Sequence, residues 1–164
     1  MKYESIDSKL FIKNRANFSR EMKKNSIAFF NSNDIYPVSA DSTLPFEQHR
    51  DIFYLSGIDQ EESILVLCPD NPNPDLREIL FLKETSDHIA VWEGPKINKS
   101  QALKISGIKT VFWLNDLEKI INKLVNRCEN IYFNKNEHYR AKIETETREA
   151  RFNSWLENKY SKKN

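Results

Sequence analysis

The sequence predicts an α/β domain, a mixed β-sheet flanked by helices, on three observations. Apolar residues recur at helical spacing near the N-terminus, short apolar runs lie between polar turns, and strand-type and helix-type segments alternate in the second half. Alternation of this kind produces crossover connections and parallel strand pairs, and two apolar runs around a short loop produce an antiparallel pair. With 164 residues, of which 39% are hydrophobic, the chain suffices for one domain with a sizeable core.

The first half is predicted to hold one helix and three strands. The helix covers residues 8–23, and an apolar run at 26–30, bounded by asparagines, is a buried strand. Residues 70–75 contain two prolines and no apolar residue, so they form the loop of a hairpin between strands at 63–67 and 78–82. One face of the helix is formed by residues at spacings of four, three and four: Phe11, Arg15, Phe18 and Met22.

The second half is predicted to continue with a short helix over residues 99–105. Gly107 ends it, because glycine adopts the left-handed conformation that closes many helices. A strand follows at 109–114. Asn115 and Glu118 then resemble a capping box at the start of a strongly amphipathic helix.

The chain ends with a predicted strand at 129–133 and a charged, helical segment. We therefore divide it into a domain over residues 1–140 and a C-terminal segment over 141–164. No run approaches the length of about 18 apolar residues that spans a membrane. The N-terminus has no apolar stretch typical of a secretory signal.

Charge and cysteine content narrow the class of protein. Lysine and arginine number 25 against 24 aspartate and glutamate, so the net charge of +1 argues against a nucleic-acid or anionic-membrane partner. Cys68 and Cys128 stand apart with no CxxC spacing, which indicates reduced thiols rather than a disulfide framework. These features favour a cytoplasmic protein.

The residues themselves predict no catalytic or metal-binding group. Three scattered glycines form no phosphate-binding loop. Clusters such as Glu61-Glu62 are typical of solvated faces. The histidines lie far apart without ligand spacing, as expected of surface or loop residues: His49, His88 and His138.

One enzymatic alternative remains open at this point. A mixed α/β sheet can carry carboxylates that hold two metal ions, as in nucleases, and Asp41, Glu78 and Asp116 would be the candidates. Nothing in the spacing of these three residues favours a two-metal site, and finding them far apart in the structure would exclude it.

An ordered motif in residues 39–67 resembles a known family. It comprises Ser39-Ala40-Asp41, Pro45-Phe46-Glu47-Gln48, Asp51 through Gly57, the acidic pair and the strand SILVL, and Trp92-Glu93-Gly94 continues it. The pattern is similar to the N-terminal domain of aminopeptidase P, of the pita-bread metallopeptidases. The likeness covers roughly residues 10–135. Glu47 departs from it, standing where many relatives have a basic residue.

This resemblance implies a fold and a parent enzyme. The fold would be that of the creatinase and prolidase N-terminal domains, with a ribonuclease H-like motif. The parent would remove an N-terminal residue that precedes proline, using two divalent metal ions, commonly manganese, in a separate catalytic domain after this chain. The resemblance places no catalytic residue and no metal ligand in the chain itself, and it implies a peptide substrate and a homo-oligomer for the parent.

The resemblance also implies two substrate-binding residues. Trp92 would wall the substrate pocket and Asp41 would lie near the same cleft. The open alternatives are that Trp92 caps the edge of the core and that Asp41 caps a turn. Phe53, Tyr54 and Leu55 are expected to pack rather than bind.

Two other functions stay open beside a Xaa-Pro aminopeptidase domain. One is the N-terminal domain of a prolidase, which cuts dipeptides. The other is a stand-alone protein-binding module without catalysis.

Overall fold

The computed structural model of the chain describes residues 4–139 and 148–161. Its helices are α1 (Ser8–Glu21), α2 (Arg50–Ser56), α3 (Asp87–Glu93), α4 (Lys99–Ser106), α5 (Leu117–Val125) and α6 (Arg148–Lys159). Its strands are β1 (Ser26–Asn31), β2 (Pro37–Ser39), β3 (Ser42–Thr43), β4 (Ser63–Leu67), β5 (Glu78–Leu82), β6 (Thr110–Trp113) and β7 (Asn130–Phe133). The predicted mixed α/β architecture is confirmed.

Five strands form one sheet in the order β6-β5-β4-β1-β7, and β2 and β3 form a separate small hairpin. β1 pairs with β7 and β5 with β6 in parallel, whereas β4 is antiparallel to both of its neighbours. It follows that β1, β5, β6 and β7 all point the same way. Their last residues lie along one edge of the sheet, beside the first residue of β4, and we call this the carboxyl edge.

Helices cover both faces of the sheet, because the strands are apolar on both sides. One face packs against α5 and α6 through buried side chains: Ile27, Phe29, Val66, Phe81, Ile121, Leu124 and Leu156. The other packs against α2 and α4, with α1 above them: Ala28, Leu65, Leu80, Ile52, Leu55 and Ala102. The result is a three-layer sandwich with a core on each side of the sheet.

A buried arginine of α1 ties two helix ends together. Arg15 is fully buried, and its Nη1 donates to the backbone carbonyls of Leu55 and Ser106, at 2.8 and 3.0 Å. These carbonyls lie at the C-termini of α2 and α4, where the helix dipoles favour a cation. Nη2 also lies 2.9 Å from the carboxylate of Glu78, without the alignment of a hydrogen bond.

The two helix ends are built alike, from residues 55–58 (LSGI) and 105–108 (ISGI). In each, the serine hydroxyl donates to the carbonyl four residues back and accepts from the isoleucine amide. Each glycine is left-handed, as Gly57 at φ 70° and Gly107 at φ 74°, and a Cβ on either would collide with α1. The prediction that Gly107 closes its helix is confirmed.

Several local predictions need correction. Residues 50–56 and 87–93 are helical, and neither helix is evident in the apolar pattern. A 3₁₀ turn, Leu114–Asp116, precedes α5, so the helix begins at Leu117 without a side-chain cap. Asn115 instead donates to Glu84 across the fold, at 3.3 Å. Of the C-terminal segment 141–164, predicted to be helical, residues 148–159 form α6, and residues 141–147 and 162–164 lie outside the described residues.

Candidate functional site at the carboxyl edge

Both predicted substrate-binding residues stand on segments that leave the sheet at the carboxyl edge. Asp41 lies on the connection that follows β1, and Trp92 on the connection that follows β5. Because these strands run in the same direction, both connections start from the same edge. In open α/β sheets, the carboxyl ends of strands are where ligands usually bind.

The first segment is a projecting hairpin, which we call the hairpin arm (residues 33–48). Asp41 occupies its tip with Ala40, whose φ of 48° places it in the left-handed region of the turn between β2 and β3. The Asp41 side chain is exposed. The arm carries large apolar side chains on its surface: Ile35, Tyr36, Val38 and Leu44.

The second segment is the short helix α3. Ser86 caps its start by accepting a hydrogen bond from the Ile89 amide, at 3.3 Å, and Gly94 ends it. Trp92 therefore belongs to the last turn of a helix. Its side chain lies outside the described ones. The neighbouring Val91 is 77% exposed, so α3 presents apolar surface at this edge.

Gln48 fastens the base of the hairpin arm to the sheet. Its Nε2 donates to the carbonyls of Ile58 and Gln60, at 3.1 and 2.8 Å. Its Oε1 accepts from the amides of His49 and Asn33, at 2.7 and 3.3 Å. One amide group thus joins the two ends of the arm to the segment that leads into β4.

A second anchor joins the arm to α6 through His49. Its Nε2 lies 3.3 Å from Oε2 of Glu149, and its Nδ1 accepts from the Asp51 amide at the start of α2. The hydrogen bond to Glu149 raises the pKa of His49, and the same bond lowers the pKa of Glu149. Asp34 adds an ion pair with Arg151 of α6, at 2.9 Å.

The base of the α3 segment is held by residues that precede β4. Gln60 accepts from the amide of Ile97, at 2.6 Å, and Glu61 pairs with Lys96. Glu61 is only 8% exposed. The expectation of a solvated acidic face is therefore wrong for this residue. Buried charges persist in proteins when they are paired in this way.

The described side chains offer no metal centre. Across residues 4–139 and 148–161, no three His, Cys, Asp or Glu side chains are grouped to hold a metal ion. The nuclease alternative fails on position. Glu78 begins β5, at the opposite edge of the sheet from the connections that carry Asp41 and Asp116.

The aromatic part of the motif divides into packing and surface residues. Leu55 is buried and Phe53 stacks edge-on to Phe11, with ring centroids 6.2 Å apart. Tyr54, expected to pack, is 58% exposed. Helix α2 therefore packs against α1 and the core and leaves Tyr54 on the surface.

Among residues 4–139 and 148–161, no helix is both long enough and apolar enough to cross a membrane.

Sequence comparison identifies relatives of the chain. A family model described as "Aminopeptidase P, N-terminal domain" matches residues 11–132. The chain is 29% identical over 126 residues to intermediate cleaving peptidase 55 of Saccharomyces cerevisiae, covering 75% of the chain and 24% of the relative. It is 28% identical over 95 residues to human Xaa-Pro aminopeptidase 3, covering 57% of the chain and 19% of the relative.

Structural comparison agrees in fold. A Bacillus anthracis structure assigned provisionally to aminopeptidase P superposes with a TM-score of 0.83 at 25% identity, covering 95% of this chain and 37% of that one. The chain thus spans about a quarter or less of the two relatives above and just over a third of this structure. The matched part is the part that carries the hairpin arm and α3.

Proposed function

The chain belongs to the aminopeptidase P N-terminal domain family, and on that basis we propose that it is the non-catalytic N-terminal domain of a Xaa-Pro aminopeptidase. The parent enzyme would release the N-terminal residue of peptides whose second residue is proline. The domain would wall one side of the active-site cleft and support contacts between subunits. The family match over residues 11–132 carries this proposal.

The carboxyl edge supports the walling role. Two segments project from it, and both present apolar side chains to the surface, with Val38 59% and Val91 77% exposed. Apolar surface of this kind marks sites of contact with another protein surface. Asp41 and Trp92 stand on these same two segments, so a partner surface that met the edge would meet both.

The metal chemistry belongs in this proposal to a separate catalytic domain. Two divalent ions, commonly manganese in the family, would activate water and polarise the scissile carbonyl when bound there. The residues of this chain that face the cleft would orient and enclose the peptide. A cytoplasmic location is part of the same proposal.

The role of Trp92 is tested in the full-length enzyme. We expect Trp92→Ala to lower kcat/KM for a Xaa-Pro peptide by about tenfold or more, because loss of a wall lets the peptide bind in unproductive positions. The thermal midpoint should change little. His88→Ala, at an exposed polar position on the same helix, is the matched control and should leave kinetics unchanged. Equal kinetics for Trp92→Ala and His88→Ala would remove Trp92 from the site.

The division of labour is tested with the isolated chain. We expect the 164-residue chain to hydrolyse no Xaa-Pro peptide in manganese. Turnover that co-purifies with the chain, and disappears with an Asp41→Asn variant, would place catalysis here and overturn the proposal. Asp41→Asn in the full-length enzyme should instead weaken peptide binding while the protein stays folded.

Two other functions are separated by simple measurements. An immunoblot of the source cells with an antibody to this chain should show a product well over twice 19.4 kDa. A product at 19.4 kDa would favour a stand-alone binding module, for which the apolar hairpin arm would be the contact surface. A full-length enzyme that cleaves Xaa-Pro dipeptides but no longer peptides would be a prolidase.

A further inference from the structure

The two cysteines meet in the folded chain although 60 residues separate them. The sulfurs of Cys68 and Cys128 lie 3.7 Å apart and are not joined by a disulfide. Both are buried in the core between the sheet and α5. The sequence suggested two unrelated thiols, and the fold places them in contact.

The backbone on each side of this pair is anchored. Cys68 directly follows β4 and donates its amide to the carbonyl of Arg77, at 2.8 Å. Cys128 follows α5. Its amide donates to the carbonyl of Val125, at 3.0 Å, and its thiol lies 3.4 Å from the carbonyl oxygen of Leu124. The sulfurs are therefore held as neighbours. A disulfide needs them to approach by about 1.7 Å.

The surroundings also activate one of the two sulfurs. A hydrogen bond from the Cys128 thiol lowers the pKa of Cys68, and the side-chain amide of Asn71 adds to this. A lower pKa means more thiolate, which is the form that attacks an oxidant. The pair lies beneath surface turns, since Asp70, Arg127 and Glu129 are exposed. Each cysteine keeps a small exposed fraction, 4% for Cys68 and 5% for Cys128.

We propose that Cys68 and Cys128 form an oxidant-sensitive dithiol, a modification site that closes to an intramolecular disulfide on exposure to a hydroperoxide. The Cys68 thiolate attacks the peroxide, the O–O bond breaks, and the leaving oxygen takes a proton to become water or an alcohol. Cys68 is then a sulfenic acid. The Cys128 sulfur attacks it, the S–O bond breaks, and water leaves with the Cys128 proton. Two electrons pass from the dithiol to the peroxide.

The cross-link would tie the end of β4 to the loop before β7. Because it closes a long segment of chain, it restricts the unfolded state and stabilises the fold. We expect the thermal midpoint of the oxidised chain to rise by roughly 5–10 °C. The site is independent of the peptidase proposal, since it uses neither Asp41 nor Trp92.

The test treats the 164-residue chain with hydrogen peroxide, alkylates remaining thiols under denaturing conditions and records the intact mass without reductant. We expect a monomer lighter by two hydrogen atoms, with no alkylation, reversed by dithiothreitol. Peptide mapping should join Cys68 to Cys128. Cys68→Ala and Cys128→Ala each remove the link. Two alkylated thiols, a sulfinic acid without a cross-link, or a disulfide between chains would each overturn the proposal.

Discussion

Replacing Arg15 is expected to destabilise the domain more than any change to an exposed charge on the same helix. Arg15→Met removes the guanidinium that holds the carbonyls of Leu55 and Ser106 while retaining much of the apolar volume. The acceptors are backbone atoms, so no substitution can remove them together with the arginine. Arg15 therefore differs from a buried ion pair of two side chains, in which both partners can be replaced by apolar residues at little cost in stability.

The magnitude follows from the contacts. Each hydrogen bond from a charged donor contributes about 1.5–3 kcal/mol, and Arg15 makes two at 2.8 and 3.0 Å. The ion pair with Glu78 adds less, because that carboxylate is 36% exposed and screened by water. We expect a loss of about 3–5 kcal/mol from a stability of roughly 5–15 kcal/mol. The thermal midpoint should fall by about 6–20 °C.

The assay is chemical and thermal unfolding of purified variants. Arg20→Met is the matched control, since Arg20 is exposed on α1 and its hydrogen bonds, among the described residues, go to Ala16 and Asn17 of its own helix. It should change stability by no more than about 0.5 kcal/mol. Arg15→Lys should fall between the two, because an ammonium keeps the charge but lacks the second nitrogen, so it cannot contact the two carbonyls and Glu78 as Nη1 and Nη2 of the guanidinium do. A loss for Arg15→Met no larger than that of Arg20→Met would refute this account of the two helix ends.

Three further outcomes are expected. Gln48→Ala should raise hydrogen exchange and protease cleavage in the hairpin arm and lower the free energy of unfolding by about 1–3 kcal/mol. Unchanged exchange and cleavage in the arm would contradict the anchoring role of Gln48. The ion pair of His49 and Glu149 should stabilise the fold most between pH 4.5 and 6.5. Its contribution to stability is lost as the pH rises through the raised pKa of His49, and it is also lost as the pH falls through the lowered pKa of Glu149. A stability difference between wild type and His49→Gln that stays constant with pH would exclude this. Gly107→Ala should cost about 1–3 kcal/mol, because its φ is 74° and the new Cβ would lie 2.6 Å from Ile12, and Ile12→Ala should restore part of the loss.

The strands and the longer helices could be predicted from the sequence because their signals are local. The runs at 63–67 and 78–82 are continuous apolar segments, and the structure begins and ends both strands at the predicted residues. Gly107 ends α4 through local geometry, since it adopts the left-handed conformation and its amide donates to the carbonyl of Leu103, four residues back. The helices α2 and α3 escaped prediction because seven residues hold too few turns for a periodic pattern to appear.

The candidate site was located through motif resemblance, and its support came from the fold. Asp41 and Trp92 stand out in the motif, but only strand direction shows that their segments leave one edge of the sheet. The roles of Gln48 and His49 were missed, since their partners are backbone groups and a glutamate far along the chain. Buried polar side chains that bond to backbone leave no periodic signal in a sequence.

By itself the sequence determined the class of fold, most strand positions and the family resemblance, because these depend on short-range apolar patterns and an ordered motif. Tertiary structure alone decided that Arg15 lies buried between two helix ends and that Cys68 meets Cys128. Such contacts join residues 40 to 91 positions apart. They exist only after the sheet has brought its strands and crossover helices together, so no local pattern encodes them.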